Sequence, residues 1–286
     1  MATKHSWEQR IERATELGRS TAHARDILVF YAEVLKWQRD LYHQIAAASA
    51  REPLTGHFDR DLPIFLDQLD SLFALVRQCG SEALAAQADQ LSATKETWFE
   101  MLAASWHGET DPEESFFARA GLQPYLERLA ETNLRPADSR LAASSIANIE
   151  CPDVAQPIRQ CPFCGRKPQL ALLTNETAGP GSLEGSAEAG RRFLVCGDCQ
   201  TRWPFQRIAC ANCPETNPRK LAYFSADVIP HIRIECCESC RHYIKSIDLT
   251  RDNRCVPVVD ELAALPLDLW AREQSYCKIR LNLAGM

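Results

Sequence analysis

Cys161-Pro162-Phe163-Cys164, Cys196-Gly197-Asp198-Cys199, Cys210-Ala211-Asn212-Cys213 and Cys237-Glu238-Ser239-Cys240 are four C-x-x-C pairs in succession. A C-x-x-C turn brings two sulfurs to adjacent corners of a tetrahedron, while backbone N–H groups point at the sulfurs and offset thiolate charge. Two such turns complete one four-sulfur site, so four pairs imply two metal ions. Four thiolates leave no position open for water or substrate, which favours metals that hold up a binding module over metals that perform chemistry. The other use of the motif is a thioredoxin-type redox pair at a helix start; these pairs instead flank short strands and come in fours.

The intervening segments suggest how the pairs combine. Leu170-Ala171-Leu172-Leu173 and Arg192-Phe193-Leu194-Val195 are strand candidates around a Gly/Ser/Glu/Ala-rich stretch from Thr174 to Gly190, which makes a hairpin with a long loop. Leu221-Ala222-Tyr223-Phe224 and Ile232-Arg233-Ile234 repeat the pattern between the third and fourth pairs. The expected sites are therefore Cys161, Cys164, Cys196 and Cys199 at one metal, and Cys210, Cys213, Cys237 and Cys240 at the other. A crossed pairing, first with third and second with fourth, remains open. The short link from Gln200 to Ala209, with Trp203, Phe205 and Ile208 in it, should pack the two modules together. Cys236 offers a competing frame with Cys240, but Cys237 keeps the two-residue spacing of the other pairs. Cys151, Cys255 and Cys277 have no C-x-x-C partner and are read as unligated.

Around these pairs the chain is lopsided. It has 286 residues, 45% hydrophobic and 24% charged, with thirteen cysteines of which only Cys79 lies in the first 150 residues. Residues 1–150 hold 15 Lys and Arg against 23 Asp and Glu, net -8, while residues 151–286 hold 17 against 15, net +2, which recovers the total of -6. Eight thiolates on two divalent ions would take the second half from +2 to about -2. Neither half has the basic footprint that non-specific nucleic-acid binding needs. The first residues, Met1 to Arg10, contain no apolar core of signal-peptide length, and no apolar run is long enough to span a membrane. The expectation is a cytoplasmic chain with reduced cysteines.

The first half reads as helices. From Thr21 to Ala48, Ile27, Leu28, Tyr31, Val34, Leu35, Leu41, Tyr42 and Ile45 recur at three- and four-residue steps on one face. A second helix is expected after Asp61 as its capping residue, with Pro63 in the first turn, Leu62, Phe65, Leu66, Leu69, Phe73 and Val76 buried, and Gly80 as its end. Asp111-Pro112-Glu113-Glu114 signals another start, and Gly121 and Pro124 are expected to break or kink the helix carrying Phe116 and Phe117. His23, His43, His57 and His107 fall singly and support no catalytic pairing. The fold class is α+β: a helical domain over residues 1–150, tandem rubredoxin-like or zinc-ribbon modules (161–199 and 210–240) within residues 151–249, and a helical tail over residues 250–286 packed on the modules. Pro266 predicts a kink or break in that tail.

The order of the pairs resembles the formate dehydrogenase accessory proteins of the FdhE type. The resemblance rests on Cys161-Pro162-Phe163-Cys164-Gly165, on Cys199-Gln200-Thr201-Arg202-Trp203 leading through Arg207 to Cys210-Ala211-Asn212-Cys213, on Cys237-Glu238-Ser239-Cys240-Arg241-His242-Tyr243-Ile244-Lys245, and on Asp260-Glu261-Leu262-Ala263-Ala264-Leu265-Pro266-Leu267-Asp268. It covers nearly all of residues 161–280, and more weakly Arg13 to Gln38. It implies a non-enzymatic cytoplasmic assembly factor that binds the catalytic subunit of respiratory formate dehydrogenases, a molybdenum- or tungsten-bound and commonly selenium-containing polypeptide. It also implies the eight paired cysteines as ligands, Cys237 over Cys236, and rubredoxin-like iron ahead of zinc. The loop from Thr174 to Gly190 looks longer than is typical of the family. Arg202, Trp203 and Arg207 are candidate partner contacts, with packing between the modules as the competing use. The alternatives are a redox participant acting on the immature enzyme and a zinc-ribbon nucleic-acid binder, which the charge sum disfavours.

Overall fold

A computed structural model describes residues 5–64, 66–92, 95–108, 116–139, 157–175, 191–227 and 229–285. Its first half is helical. Helix α1 (Trp7–Ser20) begins at a reciprocal cap in which the Ser6 hydroxyl accepts from the Gln9 N–H at 3.2 Å and the Gln9 side chain accepts from the Ser6 N–H at 2.8 Å. Helix α2 (Arg25–Ser49) buries Leu28, Tyr31, Val34, Leu35, Leu41 and Ile45, the face that the periodicity marks, with Ile27 and Tyr42 only partly covered. Short α3 (Phe58–Asp61) follows, then α4 (Leu69–Cys79), α5 (Glu82–Leu91), α6 (Lys95–His107) and α7 (Phe116–Glu131).

Two expectations are revised here for identifiable reasons. Asp61 caps no helix; it ends α3, and its buried carboxylate accepts from the Thr55 and Gly56 N–H groups and from the Tyr125 hydroxyl at 2.6 Å, pinning a loop to α7. The chain then makes two 3-10 turns before α4. Of the break or kink expected at Gly121 and Pro124, the break does not occur: α7 runs through both. Pro124 has no N–H to give the Ala120 carbonyl, a loss that costs about 3 kcal/mol in a helix interior, but the Gln38 side chain of α2 donates to that carbonyl at 2.9 Å instead. At Gly121 a Cβ would lie 2.9 Å from a Leu69 methyl, so its absence lets α4 approach α7 closely. Gly80 does end α4, its N–H reaching the Val76 carbonyl at 2.8 Å. The Asp111–Glu114 signal, Phe65 and the loop residues 176–190 lie outside the described residues.

Among the described residues the second half forms one seven-stranded sheet of β1 (Leu170–Thr174), β2 (Arg191–Val195), β3 (Arg202–Phe205), β4 (Leu221–Ser225), β5 (Ile232–Cys237), β6 (His242–Asp248) and β7 (Cys277–Lys278), in the order β3-β2-β1-β6-β5-β4 with β7 pairing parallel to the start of β6. Both expected hairpins form, with Leu170 opposite Val195 and Leu221 opposite Cys237. The two modules come together, as the short link predicts, by sharing one sheet. β6 pairs parallel with β1, Leu170 opposite Lys245, and this joins the hairpins edge to edge. Its residues Tyr243 to Ile247 are all buried, a continuous run that belongs in a sheet centre. The linking segment supplies β3, turning Trp203 and Phe205 inward while Ile208 is 56% exposed.

The tail forms α8 (Pro257–Ala263) and α9 (Leu265–Glu273), separated at Ala264 just before Pro266, the break that the proline predicts. It packs on both halves. Arg13 of α1 grips Asp260 of α8 through Nη2 at 2.6 Å and Nε at 3.0 Å, and Arg119 of α7 donates to the Leu281 and Asn282 carbonyls, each at 2.8 Å. Beneath α8 and α9, Lys245 and Lys278 meet Glu261 and Asp268, all buried, with the Tyr243 hydroxyl donating to Asp268 at 2.8 Å. Burial alone would raise the Glu261 carboxyl; the two ammonium groups overcome it and hold it at about 2. A contiguous apolar core runs through helices and sheet. Among the described residues no helix is long and apolar enough to cross a membrane.

Candidate metal centres

The eight paired cysteines sit at the ends of the hairpins, and local chemistry shapes each pair. In three of the four turns, the residue after the second cysteine adopts left-handed backbone and donates its N–H to the carbonyl of the first: Gly165 (φ 75°, 2.9 Å), Gln200 (φ 58°, 3.1 Å) and Arg241 (φ 55°, 2.9 Å). The third turn carries Pro214, which has neither that N–H nor access to positive φ. There the closing bond runs from the Cys210 N–H to the Glu215 carbonyl at 2.9 Å, and the Asn212 and Cys213 N–H groups point at the Cys210 sulfur at 3.3 and 3.4 Å.

The sulfurs gather as first pair with second and third with fourth. Cys161, Cys164, Cys196 and Cys199 form one group and Cys210, Cys213, Cys237 and Cys240 the other, all sulfurs of a group within 4.8 Å of one another. The nearest separations are 3.6 Å (Cys161 to Cys199), 3.5 Å (Cys164 to Cys196) and 3.7 Å for both Cys210 to Cys240 and Cys213 to Cys237. A tetrahedron with metal–sulfur bonds of about 2.3 Å has edges near 3.8 Å, whereas a disulfide needs about 2.05 Å. The donor sets thus fit a metal ion each and no disulfide. Cys236 stands in strand register opposite Tyr243 and outside the second quartet. Cys79 and Cys277 are exposed and Cys151 lies outside the described residues.

The surroundings of the two quartets differ. The first is wholly buried, its cysteines between 0% and 1% exposed. Asp198, inside its second turn, pairs with Arg280 at 2.8 Å and lies 3.7 Å from Arg119, so the turn is tied to the tail and to α7. Arg166, next to its first turn, donates to the Ser105 carbonyl of α6 at 3.1 Å. At Gly197 the approach of Gln169 is so close that a Cβ would meet its Oε1 at 1.9 Å. In the second quartet Cys213 and Cys240 are half-buried. Arg159 links the two, donating to the Cys210 carbonyl at 3.1 Å and the Cys213 carbonyl at 2.8 Å from the segment that leads into Cys161. Burial pushes the Cys161, Cys199 and Cys210 thiols upward, whereas hydrogen bonds from neighbouring cysteines pull Cys164 down.

Of the three candidate partner contacts, Trp203 is buried at 4% exposure and donates to the Ile158 carbonyl at 2.7 Å, which is a packing role. Arg202 stacks its guanidinium 4.5 Å from the Phe193 ring. Arg207 is exposed, on the rim of a groove beside the second quartet. Asp198, Arg119 and Arg280 escaped sequence reading, although an acid enclosed within a C-x-x-C turn was a usable signal.

Residues 208–284 match the family model described as FdhE, C-terminal domain, a span that takes in the second quartet and the tail. Along nearly the whole chain, the Protein FdhE homolog of Aquifex aeolicus is 26% identical over 277 residues, covering 92% of this chain and 89% of that protein. Protein FdhE of Escherichia coli is 26% identical over 299 residues, covering 98% and 87%. The chain is thus similar to FdhE proteins over nearly its whole length, and to the FdhE C-terminal domain over residues 208–284. The crystal structure of the FdhE protein from Pseudomonas aeruginosa shares the fold, with a TM-score of 0.65 at 22% identity over 98% of this chain and 97% of that one. The first quartet lies before the FdhE C-terminal domain in sequence and inside the same sheet in space.

Proposed function

We propose that this chain, similar to FdhE proteins along its length, is a cytoplasmic, non-enzymatic maturation factor for respiratory formate dehydrogenase that holds the immature catalytic subunit. The observation that carries the reading is end-to-end alignment with proteins named FdhE on a chain whose two cysteine quartets close around their own sulfurs. Closed four-sulfur sites leave no coordination position for substrate, which supports a metal-stapled binding surface over a catalyst. All eight cysteines are the proposed ligands, with iron ahead of zinc. A tagged chain should co-purify the formate dehydrogenase catalytic subunit, and its absence under both aerobic and anaerobic growth sinks the proposal.

One feature favours a redox role as the second reading: Cys213 and Cys240 place part of the second quartet near solvent. Iron in a four-sulfur site changes oxidation state, whereas zinc does not. Visible absorbance that bleaches on reduction supports that reading, and a colourless, zinc-replete protein removes it.

A further inference from the structure

Cys255, isolated in sequence, has company in space. Its thiol, the Asp252 carboxylate and a ring nitrogen of His231 lie within 4.8 Å of one another. The geometry points to a third metal site at His231, Asp252 and Cys255, one that takes a single divalent first-row ion, with zinc as the best match.

Local structure builds the trio. Asp252-Asn253-Arg254-Cys255 has the x-x spacing of the cysteine turns, and the Arg254 N–H donates to Asp252 Oδ1 at 3.0 Å, which curls carboxylate and thiol to one side. His231 comes from the turn between β4 and β5. That turn is fixed against the other by the Asp248 N–H donating to the His231 carbonyl at 2.8 Å and by Arg251 donating to the Pro230 carbonyl at 3.0 Å. Asp260 stands outside the trio, 3.9 Å from His231 Nε2, and is engaged by Arg13 and by the Val256 N–H (2.7 Å). Arg254 holds both Asp252 oxygens, Nε to Oδ1 and Nη2 to Oδ2, each at 3.2 Å; among the described residues Oδ2 accepts only that one bond and keeps its second lone pair for a cation.

The donor chemistry narrows the ion. One imidazole nitrogen, one carboxylate oxygen and one thiolate suit zinc, and their two negative charges cancel its two positive ones. Cys255 is buried whereas His231 and Asp252 are half-buried, so the fourth corner faces solvent and takes water. This open site differs in kind from the closed quartets, and it would clasp the β4–β5 turn to the segment entering α8, beside the Arg13–Asp260 bond that joins the halves.

The test is metal analysis of the full chain after loading with excess zinc and desalting. Wild type should hold three ions per chain, and Asp252→Asn, His231→Gln and Cys255→Ser two each, with Cys277→Ser unchanged at three. Cobalt loading should add a band from a single-thiolate ion to the stronger four-thiolate bands and lose only that band in Asp252→Asn. This substitution is isosteric and half-exposed, so it reports even where Cys255→Ser fails to fold. A wild-type content of two, or a third ion kept by all three variants, overturns the site. Loss of the quartet ions shows instead in the four-thiolate bands, which keeps the two questions apart.

Discussion

In the first quartet every sulfur is sealed beneath helices and tail, and a carboxylate within its own turn is held by arginines from two other elements. The second is closed by the same turn chemistry yet leaves two of its four cysteines half-buried, at the outer side of the sheet. The contrast teaches that identical spacing does not dictate identical service. A site stitched to its surroundings acts as a structural joint, while one with a solvent-facing side keeps the freedom to exchange.

Removing one ligand from each quartet tests this most severely. Cys164→Ser and Cys240→Ser should each lose one metal ion, whose binding in structural sites is worth on the order of 10 kcal/mol. Only Cys164→Ser should also loosen the joint between helices and sheet, lowering the Tm by on the order of 10 °C more than Cys240→Ser does. Equal falls in thermal unfolding would break the contrast. Asp198→Asn keeps all eight ligands but leaves Arg280 buried without its anion, a loss of about 3–5 kcal/mol in denaturant unfolding. Against a chelator, the second site of the wild type should empty roughly tenfold faster than the first, and Asp198→Asn should narrow that gap. The smallest effect belongs to exposed Cys277→Ser, within about 0.5 kcal/mol and with metal content unchanged.

Much of this contrast was hidden in the sequence. The C-x-x-C spacing marks the ligands, and the alternation of turn and strand marks which pairs share a hairpin, because both are local. The break before Pro266 and the buried face of α2 are legible for the same reason. What the chain conceals is non-local: the parallel partnership of β1 with β6, the rescue of the Ala120 carbonyl by Gln38, and the arginines that reach Asp198 from far along the chain. Asp61 has the composition of a helix cap, but it serves a tertiary contact with Tyr125 that outweighs the local preference. His231 and Cys255 carry no motif at all, and only the meeting of two turns joins them.

The pairing of β1 with β6, Leu170 opposite Lys245, also sets a timetable. A chain emerging from the ribosome presents the first quartet before its central partner strand exists, and Arg280, which pairs with Asp198 in the second turn, is made later still. Non-local parallel pairing is slow to form. The first quartet is therefore left uncovered until the segment carrying Arg280 has been made and folds back onto Asp198. An ion bound there would be enclosed on every side, whereas the second quartet keeps two half-buried cysteines in the finished fold.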